Sequence, residues 1–213
     1  MLPSTIPIFP LPSVVLFPNV FLPLHIFEPR YRQMVSDALA GERLIGMVLL
    51  QPGYEADYER TPAIYEVGCA GLVTHVERLP DGRFNVVLRG LERFRVVGEE
   101  SPASAVLYRR ALIMPLEEAE PEGLEQALKR ERQRLEALLT QMLSGTLAER
   151  GLPTTMPDVD LINALSQYLD LEPIEKQALL ERDGPLARCQ SLVELLEMKT
   201  LTSKSRRDDQ RVH

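Results

Sequence analysis

The sequence predicts an α+β protein, with a mostly antiparallel β region carrying one interrupting helix, followed by an α-helical region. Three observations carry this. Seven of the 17 prolines, Pro3 to Pro29, fall among large apolar side chains at the start of the chain. Strand-like alternation and turn signals run on to about Pro115, and beyond it apolar residues recur at helical spacing. The expected organisation is therefore a β subdomain over 1–115, a helical subdomain over 116–200 and a flexible tail over 201–213.

The opening segment PIFPLPSVVLFPNVFLPLHIFEPRYRQM, Pro7 to Met34, sets the first elements. Proline fixes its own φ, lacks an amide donor and pushes the preceding residue toward extended geometry, so this spacing predicts short, kinked strand pieces folded as a clasp. Pro29 suits the first turn of a helix, in which Tyr31, Met34, Val35, Ala38 and Leu39 share one face and Gly41 supplies the stop. Glu28 and Arg32 are expected to pair on its surface, worth about 0.2–0.5 kcal/mol. Leu44 to Gln51 is an apolar strand run. Arg83 to Arg89 alternates, directing Phe84, Val86 and Leu88 toward a core. Pro80-Asp81-Gly82 marks the turn before that strand, and Gly90 is expected to break or turn the chain before Phe94 to Val97. An antiparallel meander accounts for these signals.

After Pro115 a long helix is predicted from about Pro121 to Arg150, with a stripe that includes Leu124, Leu128, Leu135, Leu139 and Leu147. Further helices are expected over Asp158–Leu169, Pro173–Arg182 and Pro185 to about Lys199, with Asp158 as a cap and Gly151 and Gly184 as breaks. They should pack as a small bundle. The closing SKSRRDDQRVH is polar throughout and reads as a frayed tail.

Composition narrows the function classes. The 213 residues are 45% hydrophobic and 26% charged, ordinary for a globular chain. No stretch of about 20 apolar residues can span a bilayer. The N-terminus lacks the basic start and continuous apolar run of a secretory signal, so a cytoplasmic location is expected. Cys69 and Cys189 are the only cysteines, which excludes a disulfide scaffold, a cysteine-rich zinc site or a RING domain. His25, His75 and His213 are too far apart in sequence for a helical metal pair, and His25 and His75 are read as structural. No catalytic residue, metal or cofactor is assigned. The net charge is -7, with 11 basic against 12 acidic residues up to Pro115 and 13 against 19 after it, which disfavours a broad phosphate-binding face.

The order PLPSVVLFPNVFLPL, a helix, then YEVGCAGLVTHVERLPDGRFNVVLRGLERFRVV from Tyr65 to Val97 resembles the N-terminal substrate-recognition domain of Lon proteases. The similarity continues to about Met198 through PDVDLINALSQYLDLEPIEKQALLERDGPLARCQSLVELLE. His25 to Met34, HIFEPRYRQM, is more like the stand-alone bacterial proteins of this family, and the Lon-like end of certain RING-containing eukaryotic proteins, than the protease itself. The resemblance implies a PUA-like β-barrel followed by a helical bundle. Neither a GxxxxGK[ST] phosphate loop nor a counterpart of the serine-lysine catalytic region is present, so what carries over is recognition and not proteolysis. The implied function is a non-enzymatic polypeptide-recognition or adaptor protein. Its expected partners are unfolded or loosely structured polypeptides and a separate protease, with no nucleic acid and no membrane.

The residues expected to bind clients are Phe17, Val20, Phe21 and Phe27, provided that they are exposed; the competing reading of each is a core residue. An edge strand is expected to add main-chain hydrogen bonds to the client, with no edge specified. Two alternatives stand beside this reading. One is an RNA-binding PUA-like module using Arg83, Arg89, Arg93 and Arg95, opposed by Glu92, Glu99 and Glu100 and by the lack of a stacking platform. The other is a dedicated small-ligand sensor. Cereblon, distantly related through its Lon-like domain, binds ligands through a separate zinc-bearing domain that this chain lacks.

Overall fold

The structure, a computed structural model, describes residues 2–58, 60–101, 105–118, 123–142 and 156–209. Six strands form one sheet: Thr5–Leu11 (β1), Phe21–Ile26 (β2), Leu44–Leu49 (β3), Val67–Arg78 (β4), Phe84–Glu99 (β5) and Arg110–Pro115 (β6). Their order is β2-β5-β4-β3-β1-β6, and β6 also pairs with β5. Every pairing is antiparallel except β1 with β3. The proline-rich β1 changes partner along its length: Thr5 to Pro7 pair with β6, while Ile8 to Leu11 pair with β3. Among the described residues five α-helices accompany the sheet: Pro29–Ala40 (α1), Glu125–Met142 (α2), Asp158–Tyr168 (α3), Pro173–Leu180 (α4) and Gly184–Asp209 (α5).

The β4–β5 hairpin turns where proline, aspartate and glycine predict it. Gly82 has φ +80°, Asp81 Oδ1 accepts from the Arg83 amide at 3.0 Å, and the Leu79 amide reaches the Arg83 carbonyl at 2.9 Å. Phe84, Val86 and Leu88 are buried, following the period-2 pattern. β5 runs on through Gly90 with no turn, but its register with β4 shifts just beyond it, between Gly71↔Gly90 and Cys69↔Arg93. The glycine is needed for close approach: a Cβ there would lie 2.0 Å from the Phe17 carbonyl oxygen. Farther along the sheet Ile6, Ile8, Val48, Ala70, Phe94 and Ile113 close a buried core cluster.

Helix α1 buries Tyr31, Met34, Val35 and Ala38, and the Gly41 amide closes it onto the Asp37 and Ala38 carbonyls, each at 3.1 Å. The expected Glu28–Arg32 pair does not form. Glu28 precedes the helix, so its carboxylate meets the Arg30 guanidinium at 2.8 Å and accepts from the Tyr58 hydroxyl at 3.0 Å. Arg30 is thereby held over the rings of Tyr31 and Tyr58, at 4.7 and 4.8 Å.

The chain divides into two compact units, one comprising Met1–Glu117 with Asn163–Glu181 and the other Glu118–Ile162 with Arg182–His213. This departs from a single boundary near Pro115. Four buried polar side chains explain why the 163–181 segment belongs with the sheet. The Asn163 amide donates to the Pro18 carbonyl at 3.1 Å and Gln167 accepts from the Phe17 amide at 3.1 Å. Gln177 donates to the Val67 carbonyl at 2.9 Å, and Arg93, 2% exposed, donates to the Leu180 carbonyl at 2.9 Å. Such bonds satisfy backbone groups of the turn before β2, the start of β4 and the end of α4, at positions unrelated to sequence proximity.

In the second unit α2 packs along α5. Leu135 and Leu139 of α2 are buried, as are Cys189, Leu192, Val193 and Leu196 of α5, at helical spacing. Arg134 reaches Glu197 at 2.6 Å, and Arg132 pairs with Glu136 at 2.9 Å and with Asp158. Asp158 is thus the first residue of α3, committed to an ion pair, where a cap was expected. α5 runs beyond the expected helix end near Lys199, to Asp209, and residues 210–213 of the expected tail lie outside the described residues. The Leu143, Leu147 and Arg150 portion of the long predicted helix and the Gly151 break lie outside the described residues.

Candidate functional site

Among the described residues strand β2 pairs only with β5, in the register Phe21↔Arg89 to Ile26↔Phe84. The Gly90 amide donates to the Val20 carbonyl at 2.9 Å. Alternation then turns the backbone groups of Leu22, Leu24 and Ile26 toward β5 and those of Phe21, Pro23 and His25 toward the outer edge. Pro23 offers no amide at the centre of that edge, and the Tyr168 hydroxyl donates to the Phe21 carbonyl at 2.8 Å. The side chains alternate as well. Ile26 is buried, while Phe21, Pro23 and His25, with Phe27 just beyond the strand, are exposed.

The four expected client-binding residues therefore separate into two pairs. Phe21 and Phe27 are 50% and 59% exposed. Phe17 and Val20 are buried, at 0% and 3%, which corrects the expectation that they form part of an exposed surface. The reason is a tight turn before β2, where the Val20 amide reaches the Phe17 carbonyl at 3.3 Å and Asn19 takes φ +60°. The Phe17 amide is spent on Gln167, and Gly90 presses against the Phe17 carbonyl. This turn faces both side chains inward before β2 begins.

Polar groups bind this face across three strands. Asn85 Nδ2 donates to Glu77 Oε2 at 2.7 Å, which leaves Asn85 Oδ1 to accept from His25 Nδ1 at 2.8 Å. The imidazole stacks beside the Phe27 ring, with centroids 6.2 Å apart. His25 is thus held as a strut between β2 and β5. Tyr168, 64% exposed, joins the surface from α3, and no motif in the sequence singled it out.

The arginines considered for RNA do not assemble a free basic patch. Arg83 is paired with Asp81 and Arg95 with Glu66, while Arg89 donates to Asn19 and Arg93 is buried. Among the described residues no group of three His, Cys, Asp or Glu side chains is placed to hold a metal ion, and no helix is long and apolar enough to cross a membrane. What the β2 face presents is two exposed phenylalanines, a phenol and a fixed imidazole beside an interrupted strand edge. That chemistry suits adaptable apolar contact.

A family model described as the ATP-dependent protease La (LON) substrate-binding domain matches residues 5–198. Lon protease 2 of Sorangium cellulosum is 35% identical over 154 residues, and a Lon protease of Cytophaga hutchinsonii is 26% identical over 200 residues. These matches cover 72% and 92% of this chain but only 18% and 24% of the relatives, so the chain spans about a quarter or less of their length. The fold is shared with a Lon N-terminal domain protein from Xanthomonas campestris, at TM-score 0.62, 23% identity and coverage of 90% of this chain and 98% of that one. It is shared too with the N-terminal domain of Mycobacterium avium complex Lon protease, at TM-score 0.69, 17% identity and coverage of 91% and 98%. A match that runs from β1 into α5, over a mixed fold common to Lon N-terminal domains, makes this chain a member of the Lon substrate-binding domain family.

Proposed function

We propose that this protein is a non-enzymatic polypeptide-recognition or adaptor module that holds apolar stretches of unfolded or loosely structured chains against the outer face of β2. The observation that carries the reading is the exposure of Phe21 and Phe27 on a strand fixed by β5. Covering apolar surface gains about 25 cal/mol per Å² and asks for no particular client sequence. Pro23 limits main-chain pairing at this edge, so side-chain contact supplies the affinity. Within the same reading, the circuit of pairings β5-β4-β3-β1-β6-β5 is a PUA-like barrel and the second unit a small helical bundle. The setting is cytoplasmic, and captured clients pass to a protease on another chain.

The test is fluorescence anisotropy with a permanently unfolded polypeptide, using the same polypeptide in folded form as control. The unfolded form is expected to bind preferentially, and Phe21→Ser with Phe27→Ser to weaken binding about tenfold or more without lowering the melting temperature. Equal binding by the double variant would remove β2 from the recognition surface.

A further inference from the structure

The unit that contains the sheet also has a cleft of about 640 Å³ between residues 60–64, the end of β5 and residues 106–110. A recess of about 110 Å³ shares Arg60, Pro62, Leu107, Tyr108 and Arg109 with it. This volume suits a small molecule or a few peptide residues. One wall is apolar, from Pro62, Ala63, Ile64, Val106 and Leu107. Leu107 stays 61% exposed although its backbone is clamped, for Gln33 accepts from the Leu107 amide at 2.9 Å and donates to the Ala105 carbonyl at 2.8 Å.

The other wall is cationic. Arg109 forks onto Glu99 at 2.8 and 2.5 Å and donates to the Pro62 carbonyl at 2.8 Å, while Arg110 meets Glu100 at 2.7 Å. Arg30, in the recess, is held by Glu28. Arg60 is exposed and makes no ion pair among the described residues. Among the described residues, the four guanidiniums of the cleft and recess thus meet three carboxylates, leaving one positive charge beside an apolar wall. A single net charge, with Glu99 and Glu100 nearby, matches a monoanion and leaves a phosphate dianion or a nucleic-acid backbone incompletely neutralised.

We infer that this cleft binds the free C-terminal carboxylate of a polypeptide that ends in an apolar residue. Arg60 receives the carboxylate, and Pro62, Ile64 and Leu107 take the terminal side chain. The inference rests on the polypeptide-recognition reading above, adding a chain-end site to it.

The test uses the full chain and a fluorescein-labelled hexapeptide ending in two leucines, made as the free acid and as the amide. The acid is expected to bind about tenfold more tightly, Arg60→Gln to erase the difference, and Leu107→Ser to weaken the acid. Circular dichroism should be unchanged in both variants, since both side chains are exposed. Equal affinity of acid and amide, failure of the acid to bind, or an unchanged preference in Arg60→Gln would overturn the inference. Competition by N-acetyl-leucine as effective as the peptide would overturn the chain-end assignment in favour of small carboxylates. A long unfolded polypeptide with an amidated C-terminus, measured alongside, tests the β2 reading alone, so the two can fail separately.

Discussion

Phe17 and Phe21 lie four positions apart in one apolar segment, yet one is fully buried and the other half exposed. Local composition does not distinguish them. The distinction comes from Gln167, 150 positions away, which takes the Phe17 amide, and from the turn that faces Phe17 and Val20 inward. The two cysteines, Cys69 and Cys189, are both fully buried. Burial, reinforced by Glu131 and Asp158, pushes the Cys189 thiol up to about 12 from its ordinary 9.0. An acid whose folded pKa is raised stabilises the fold fully below its unfolded pKa. That contribution is lost as pH rises from about 9 through about 12, where the unfolded chain releases the proton more readily. Neither thiol is expected to react with a thiol-specific dye at pH 8 in the native protein, and both should react in guanidinium. The melting temperature should fall between pH 9 and pH 12.

Among the elements, period-2 alternation located the buried face of β5 and proline–helix spacing located α1, because strand pleat and helix pitch impose these patterns on any burying sequence. Gly90 marks a register shift and a close approach where a turn was one reading, because a glycine signals freedom without saying which of these requires it. The end of α5 was not legible for a related reason, since polar composition cannot tell a frayed end from the last turns of a helix anchored farther back by Leu192, Val193 and Leu196. Strand β2 illustrates how an edge is kept from pairing with another chain. Its outward positions are Phe21, Pro23 and His25, and the central one lacks a donor. Pro23→Val restores that donor between two exposed apolar and aromatic positions. It is expected to promote self-association, read as a concentration-dependent rise in mass by light scattering. A variant that stays monomeric at all concentrations would show that Pro23 does not guard the edge.

For the whole molecule, the mixed α+β class and the change of organisation near Pro115 follow from the sequence, but the compact units do not follow chain order. Asn163, Gln167, Gln177 and the backbone of Leu180 bond back to Pro18, Phe17, Val67 and Arg93. A fragment of residues 1–115 therefore leaves buried polar groups without partners and uncovers part of the sheet. It is expected to lack the cooperative thermal transition of the full chain, measured by circular dichroism; a fragment melting as sharply as the parent would show that the 163–181 segment is dispensable.

The sequence by itself determined the strand and helix periodicities, the β4–β5 turn, the Lon-like family resemblance and the scarcity of cysteine and histidine, all properties of neighbours along the chain. The tertiary structure decided which of four similar apolar residues face solvent, where the chain divides, and that residues near 60, 100 and 107 meet in one cleft. Those outcomes depend on long-range pairing and on buried polar bonds between distant residues, and no local pattern encodes either.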